Sequence, residues 1–244
     1  SARGAGQPLI AVVARDAALL PLRPEDERPN AVVQPAVVAG VCWAGQLWYV
    51  SYGLDEPATG ETRAAVFGLA NAVTLLRGAL YTVVAGFVLV PAETTLAWVP
   101  ALCYGTGVIL DKVDGLIART IGEETPLGTR LDMAFDTFGF VAAPLLAVLW
   151  GALPAYYLAI SAARYVFVGA VWLHRWRGGT VHPLPDSDLG KYLAGVQMVF
   201  VTVALVPVAP TALVYSLAPV VLAPSITVFT RDYLCATGRL RSGH

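Results

Sequence analysis

The sequence predicts an all-α, polytopic membrane protein: a core of six transmembrane helices with an additional N-terminal hydrophobic helix. Of its 244 residues, 57% are hydrophobic and only 14% are charged, whereas a soluble domain carries about 25% charged residues. The charges are clustered, and between the clusters lie uncharged runs of roughly 20 residues, the length that crosses a bilayer. The short alternating segments that are typical of a membrane barrel are absent from the sequence.

Net charge and cysteine usage exclude several other classes. The net charge of −1 gives no indication of nucleic-acid binding. The cysteines, Cys42, Cys103 and Cys235, lie far apart in apolar surroundings. Isolated thiols of this kind are typical of small core residues rather than of a disulfide framework or a zinc site.

The N-terminal part of the chain divides into a polar tail and a hydrophobic segment. Residues 1–30 are rich in proline and mixed in charge, whereas residues 31–54 carry no charge and include the aromatic pair Trp48 and Tyr49. Aromatic side chains of this kind favour the membrane interface. We expect residues 31–62 to form the additional hydrophobic helix and a polar connector. Two glutamines and a proline leave open a helix that lies on the membrane surface.

Residues 63–244 are predicted to form the six-span core domain. The spans, separated by Pro- and Gly-containing turns, are expected at about 66–90, 94–118, 128–150, 152–173, 189–208 and 211–230. Lysine and arginine fall near alternate connections, whereas the connections at 91–93, 151 and 207–211 contain neither. The positive-inside rule therefore predicts that the basic side, and both ends of the core domain, are cytoplasmic.

Four aspartates lie at the facing ends of the second and third core spans. Asp111 and Asp114 share one helical face, and Asp132 and Asp136 follow each other at i, i+4 on the next helix. The short loop between the helices returns the chain to the same side of the membrane. Because an acidic residue inside a span is costly and usually functional, we expect all four carboxylates to converge on one site.

The carboxylates predict a site for hard cations. Like charges this close cannot all remain ionised without cations between them. A ligand set of oxygen atoms, without His or Cys, favours Mg²⁺ or Mn²⁺, and two such ions suit phosphoryl transfer. Gly115, Ala118 and Gly128 clear space for a ligand on the carboxylate faces, although small residues also serve helix packing. The basic residues near enough in sequence to neutralise the acids are Lys112, Arg119 and Arg130.

The spacing of these residues carries a resemblance to a known family. The pattern is Asp111-x-x-Asp114-Gly115-x-x-Ala118-Arg119, eight residues, Gly128-x-x-x-Asp132-x-x-x-Asp136. It resembles the signature of the CDP-alcohol phosphatidyltransferase family at all eight defining positions. The stretches "NAVTLLR" (71–77) and "GKYLAGVQMV" (190–199) are similar to the first and fifth helices of that family. The resemblance covers about residues 70–244.

The resemblance implies a reaction in phospholipid biosynthesis. A substituted phosphate group would pass from a CDP-linked donor, a CDP-lipid, to an alcohol acceptor, and CMP would be released. The metal ligands it implies are Asp111, Asp114, Asp132 and Asp136. The CDP-binding residues it implies are Asp111, Asp114, Gly115, Ala118, Arg119, Gly128 and Asp132. It also implies a homodimer, with Asp136 as the base that takes the proton of the acceptor hydroxyl. From the residues alone, a role of Asp136 as a fourth metal ligand fits nearly as well as the role of base.

Three basic residues are candidates for binding an anionic acceptor or a phosphate: Arg164, Lys191 and Arg77. For each there is a simpler interpretation. Lys191 could extend to the interface, Arg164 could neutralise an acid of the metal site, and Arg77 could only anchor the first core helix.

One departure from the family concerns the acceptor. Family members that use glycerol 3-phosphate often follow the Gly-Lys pair with a second Lys and a Thr, where this chain has Leu193 and Ala194. The departure argues against a glycerophosphate acceptor without indicating another.

The residues alone are also compatible with two other functions. One is an intramembrane prenyltransferase with an Asp-rich Mg²⁺ site, whose aspartates normally form two tighter clusters. The other is a cation transporter with a carboxylate ion site. Broken helices near the membrane midplane are typical of transporters, whereas these acids lie near one surface.

Overall fold

A computed structural model describes residues 33–54, 69–121, 126–182 and 188–240 of the chain. Side chains are not described at residues 52–54, 69–70, 114–121, 126–127, 164 and 188. The α-helices of the described ranges are α1 (Val33–Leu54), α2 (Leu69–Gly86), α3 (Trp98–Ile121), α4 (Pro126–Leu149), α5 (Ala159–Trp176), α6 (Asp188–Ala204) and α7 (Thr211–Ala236). A 3-10 turn follows α2 at Phe87–Leu89, and another precedes α5 at Ala155–Leu158.

The helices confirm the predicted class, and each predicted segment coincides with one helix to within a few residues. The exceptions are α5, which begins at Ala159 after a 3-10 turn rather than at about residue 152, and α7, which continues to Ala236 although it contains Pro219 and Pro224. Prolines are tolerated in such helices where neighbouring helices satisfy the freed backbone groups.

Within the described residues, three helical segments are long and apolar enough to cross a membrane, and the bent pair Ala155–Ala163 with Tyr165–Trp176 could add a fourth. The three are Asn71–Leu89, Gly128–Leu149 and Thr211–Ala236. The chain is thus an all-α membrane protein, and the count of six core spans stays a prediction.

The core helices form two groups that share one hydrophobic core. α2 packs against α3 and α4, α7 packs against α5 and α6, and contacts of α6 with α3 and α4 join the groups. Tyr81, Tyr104 and Tyr157 are fully buried at the centre of this core, and the ring centroids of Tyr81 and Tyr104 lie 5.3 Å apart. These contacts set the depth and rotation of α2, α3 and α4, the helices that carry the candidate site.

Tyr81 fits between two glycines on the neighbouring helices. A β-carbon at Gly107 of α3 would lie 2.3 Å from the Tyr81 ring, and one at Gly139 of α4 would lie 2.6 Å from it. No side chain larger than hydrogen is accommodated at either position without displacing the ring. The absence of side chains at these two glycines therefore allows α3 and α4 to approach α2 closely.

The additional N-terminal helix, α1, packs against α2 and runs antiparallel to it. A β-carbon at Gly86 would lie 2.4 Å from the Pro35 carbonyl oxygen, and one at Gly78 would lie 2.8 Å from Gln46 Oε1. From Gln34 onward, α1 belongs to the same compact unit as the core helices. The predicted tail, residues 1–30, and most of the predicted connector lie outside the described residues.

Candidate active site

Three of the four predicted aspartates meet between α3 and α4. One carboxylate oxygen from each of Asp111, Asp132 and Asp136 lies within 4.8 Å of the others. Asp132 and Asp136 are one helical turn apart on α4, and Asp111 reaches them from the second half of α3. Their side chains are 14%, 46% and 27% exposed, respectively. The cluster is therefore open to a ligand on one side and enclosed by protein on the other.

The enclosed side of the cluster is formed by Arg77 of α2, whose side chain is fully buried. Its Nη1 donates to Asp111 Oδ1 at 2.5 Å, and its Nη2 donates to Asp132 Oδ1. The same Nη2 lies 3.5 Å from Asp136 Oδ1. One guanidinium thus contacts all three carboxylates, and its charge offsets part of their mutual repulsion.

Sequence proximity did not identify this counter-ion. The basic residues near the acids in the sequence are Lys112, Arg119 and Arg130, whereas Arg77 is predicted to bind a phosphate or to anchor the first core helix. Lys112 does pair with Asp111, with 2.7 Å between Nζ and Oδ2, but its side chain is 71% exposed. The available signal was the position of Arg77 inside an apolar span, where a charged side chain requires a partner. The predicted phosphate-binding role of Arg77 stays a prediction.

Two further polar residues of α2 lie on the buried side of that helix. Asn71 and Thr74 are each 4% exposed, and they precede Arg77 at spacings of three residues. This spacing places the three side chains on one side of α2, within the contact with α3 and α4. In the sequence, this stretch is distinguished only by its resemblance to the first helix of the family.

The other predicted site residues lie partly outside the described atoms. Asp114, Gly115, Ala118 and Arg119 belong to the last turns of α3, but their side chains are not described, and the same holds for Arg164 of α5. Gly128 lies in the first turn of α4, one helical turn before Asp132, and is half-buried. Lys191 lies near the start of α6 and is exposed.

The residues present fit a divalent metal ion. The donors are carboxylate oxygens only, which is the ligand chemistry of Mg²⁺ and Mn²⁺. Three of them come within reach of one ion, and partial exposure leaves room for water or substrate oxygens. The arrangement can therefore hold a cation beside a phosphate group.

Fold and cluster together define a class: an all-α, multi-pass membrane protein with a group of carboxylates that can bind a metal ion. Residues 67–229 match the family model of CDP-alcohol phosphatidyltransferases, and the chain belongs to that family. It is accordingly a transferase that acts in phospholipid synthesis.

Two relatives from Mycobacterium tuberculosis are similar to most of the chain. They come from strain CDC 1551 / Oshkosh and strain ATCC 25618 / H37Rv, and each carries the name "Probable phosphatidylglycerophosphate synthase". Each is 29% identical over 190 residues, which cover 73% of this chain and 87% of the relative. The similarity thus extends over nearly the full length of both relatives.

Proposed function

We propose that this chain transfers a lipid-substituted phosphate group from a CDP-linked lipid to the hydroxyl of an alcohol acceptor and releases CMP. The observation that supports this best is the convergence of Asp111, Asp132 and Asp136, with ligand oxygens within 4.8 Å of one another. These residues hold three of the four aspartate positions of the family's signature. A pyrophosphate-linked donor needs such a site, because its negative charge must be offset before an oxygen can attack it.

Asp111, Asp114, Asp132 and Asp136 would hold Mg²⁺ or Mn²⁺, with two ions expected. When bound, the ions supply positive charge to the donor's pyrophosphate and stabilise the entering and leaving oxygens. Gly115, Ala118, Arg119 and Gly128 would line the CDP pocket beside them. Arg77 holds the three described carboxylates in register from the buried side.

Asp136 would act as the general base. The acceptor oxygen attacks the phosphorus that carries the donor's lipid, and a new oxygen–phosphorus bond forms. The bond from that phosphorus to the bridging oxygen breaks, so that CMP leaves with the electron pair. The proton of the acceptor hydroxyl passes to the Asp136 carboxylate. Positioning supplies most of the rate, since the reaction needs no covalent intermediate with the protein.

The acceptor is expected to carry a negative charge that Arg164 and Lys191 bind. The relatives are named for the synthesis of phosphatidylglycerophosphate, but Leu193 and Ala194 depart from the pattern of glycerophosphate users. Arg164→Lys should raise the acceptor KM strongly and leave the donor KM unchanged, because a bidentate fork becomes a point charge. Steady-state kinetics with each substrate varied in turn would test this. A fall in donor and metal affinity at constant acceptor KM would instead assign Arg164 to the metal site.

The active site is proposed to lie near the cytoplasmic face, because the basic connections fall on that side. A homodimer is expected from the family resemblance. Chemical cross-linking of the protein in native membranes would test the dimer, and a monomer at all protein concentrations would contradict it.

Substitution of the aspartates tests the reaction itself. Asp111→Asn, Asp114→Asn or Asp132→Asn should each nearly abolish CMP release and weaken metal binding. Asp136→Asn should lose turnover while it retains more CMP affinity, since a base acts only on the acceptor. CMP release from a CDP-lipid and the Mg²⁺-dependent rise in melting temperature with CMP would be measured for each variant. Wild-type turnover in Asp132→Asn would contradict the phosphotransfer mechanism. Equal loss of CMP binding in all four variants would remove the separate role of Asp136.

A further inference from the structure

An apolar groove is lined by Thr137, which follows Asp136 in the chain, and by residues farther along α4 from the carboxylate cluster. It has a volume of about 260 Å³ and lies among α4, α5, α6 and α7. Phe140, which follows Asp136 by one helical turn on α4, lines it together with Val141. On α6 the groove extends from Gly190 to Gln197, a length of about 10 Å along the helix.

Most of the polar side chains that line the groove are already engaged within the protein, and the lining carboxylate Asp232 accepts from Arg231 Nη2 at 2.8 Å. Ser161 donates to the Phe140 carbonyl oxygen at 2.6 Å, and Thr137 donates to that of Met133 at 2.7 Å. At the inner end, Gln197 Nε2 donates to Val221 O at 2.8 Å and to Ser225 Oγ at 2.9 Å. Its Oε1 accepts from the hydroxyl of Tyr157. A polyol bound here would lose hydrogen bonds to water without equivalent replacements from these engaged groups.

The two positions at which the chain departs from glycerophosphate users also line this groove. Leu193 and Ala194 contribute side chains to its α6 wall, opposite Val228 and Phe229 of α7. Family members that use glycerol 3-phosphate often have a lysine ammonium and a threonine hydroxyl at these two positions, whereas this chain has only hydrocarbon side chains. Burial of a hydrocarbon chain in such surroundings is favourable, because it removes apolar surface from water.

The groove lies on the acceptor side of the site. Its lining residues belong to α4, α5, α6 and α7, whereas five of the seven residues expected to bind CDP, including Asp111, lie on α3. Entering and leaving oxygens are roughly in line across the phosphorus. When CMP leaves on the α3 side, the hydroxyl enters from the opposite side, where α4 carries both Asp136 and the groove-lining residues Thr137 and Phe140.

We propose that this groove holds a hydrocarbon chain of the acceptor, so that the acceptor is a membrane lipid with a free hydroxyl rather than a water-soluble polyol phosphate. This inference rests on the transfer reaction proposed above and names its substrate class. An anionic lipid headgroup satisfies the expected charge of the acceptor as well.

The experiment uses the full chain in nanodiscs with Mg²⁺ and CDP-diacylglycerol. Phosphatidylglycerol and glycerol 3-phosphate are supplied as separate acceptors, and CMP release is measured with identification of the lipid product by mass. We expect release with phosphatidylglycerol to be at least tenfold faster. Faster release with glycerol 3-phosphate would overturn the inference and leave the transfer reaction standing. No release with either acceptor would overturn both.

A bulky side chain in the groove shows whether the groove binds the acceptor or the donor, because it should change the KM of only one of them. Ala194→Phe should raise the KM for phosphatidylglycerol at least tenfold and leave the KM for CDP-diacylglycerol within twofold. Val196→Phe is the matched control, since Val196 is exposed on the same helix, and should change neither constant. A rise in the donor KM alone would assign the groove to a donor chain and overturn the inference.

A second variant keeps the test decisive if Ala194→Phe does not fold, as judged by loss of the CMP-dependent melting shift. The double variant Leu193→Lys, Ala194→Thr gives the groove a polar wall. It should reduce the rate with phosphatidylglycerol at least tenfold while CMP still raises the melting temperature. An unchanged rate with the lipid acceptor would overturn the inference.

Discussion

Arg77 is the residue on which the geometry of the carboxylate cluster depends most. Its guanidinium contacts Asp111, Asp132 and Asp136 from a fully buried position. Removing one partner of a buried ion pair typically costs about 3–5 kcal/mol, because the remaining charge has no compensation. Here the partly exposed carboxylates recover some hydration, so the lower end of that range applies.

Arg77→Gln should destabilise the protein by about 3 kcal/mol in EDTA, measured as a lowered melting temperature in detergent. Mg²⁺ should restore part of the loss, because a metal ion replaces the missing positive charge. The Mg²⁺ concentration at half-maximal stabilisation should fall, since no guanidinium competes for the carboxylates.

Lys112→Gln is the control for Arg77→Gln. Lys112 pairs with Asp111 from an exposed position, where an ion pair contributes at most about 1 kcal/mol. An equal loss of stability in the two variants, or an unchanged melting temperature for Arg77→Gln in EDTA, would show that the buried position of Arg77 has no special role.

At the scale of helices, the site depends on the packing of α2 against α3 and α4. Tyr81 occupies the space left by Gly107 and Gly139, about one turn from Arg77 along α2. Gly115, Ala118 and Gly128 are predicted from the sequence to clear space for a ligand, and these roles stay predictions. Gly107 and Gly139 could not be distinguished from other glycines of the spans, because their role depends on which side chain faces them.

Gly107→Ala should therefore disturb the site without touching a carboxylate. The added methyl group would meet the Tyr81 ring at 2.3 Å, and overpacking of this kind costs about 1–3 kcal/mol. Because Asp111 lies one turn beyond on the same helix, turnover should fall at least tenfold. Gly169→Ala is the matched control, since its methyl group meets nothing within 4 Å. Wild-type turnover and stability in Gly107→Ala would contradict the close-packing argument.

At the scale of the whole molecule, α1 determines on which side of the membrane the N-terminus lies. α1 contacts α2 near Gly86 and again near Gly78, two positions about 12 Å apart along α2. A helix lying flat on the surface would meet a span at one level only. This contact supports a seventh span, although α1 is not among the described segments that pass as apolar enough to cross.

Residues 1–30 are therefore predicted to lie outside the cell membrane, despite their arginines. In a chain without Cys42, Cys103 and Cys235, a cysteine placed at Ser1 should react with an impermeant thiol reagent in intact cells. A cysteine placed at Ser242 is the control and should react only after lysis, since the C-terminus is predicted to be cytoplasmic. Protection of position 1 until lysis would favour an interfacial helix.

The sequence by itself determined the membrane class, the position of each helix and the candidate aspartates. Hydrophobic length and residue spacing are local properties, so uncharged runs gave the helices, and i, i+4 spacing placed Asp132 and Asp136 on one face. The contact of Asp111 with them also followed, because a short loop forces adjacent helices back to the same surface.

Only the tertiary structure decided which basic residue meets the aspartates and what lies beside them. Arg77 is 34 residues from Asp111 and 55 from Asp132 in the chain, so no local spacing relates them. The apolar groove likewise takes its walls from four helices. Such features depend on how helices rotate and pack against one another, and that is set by the combined fit of side chains such as Tyr81 against Gly107 and Gly139.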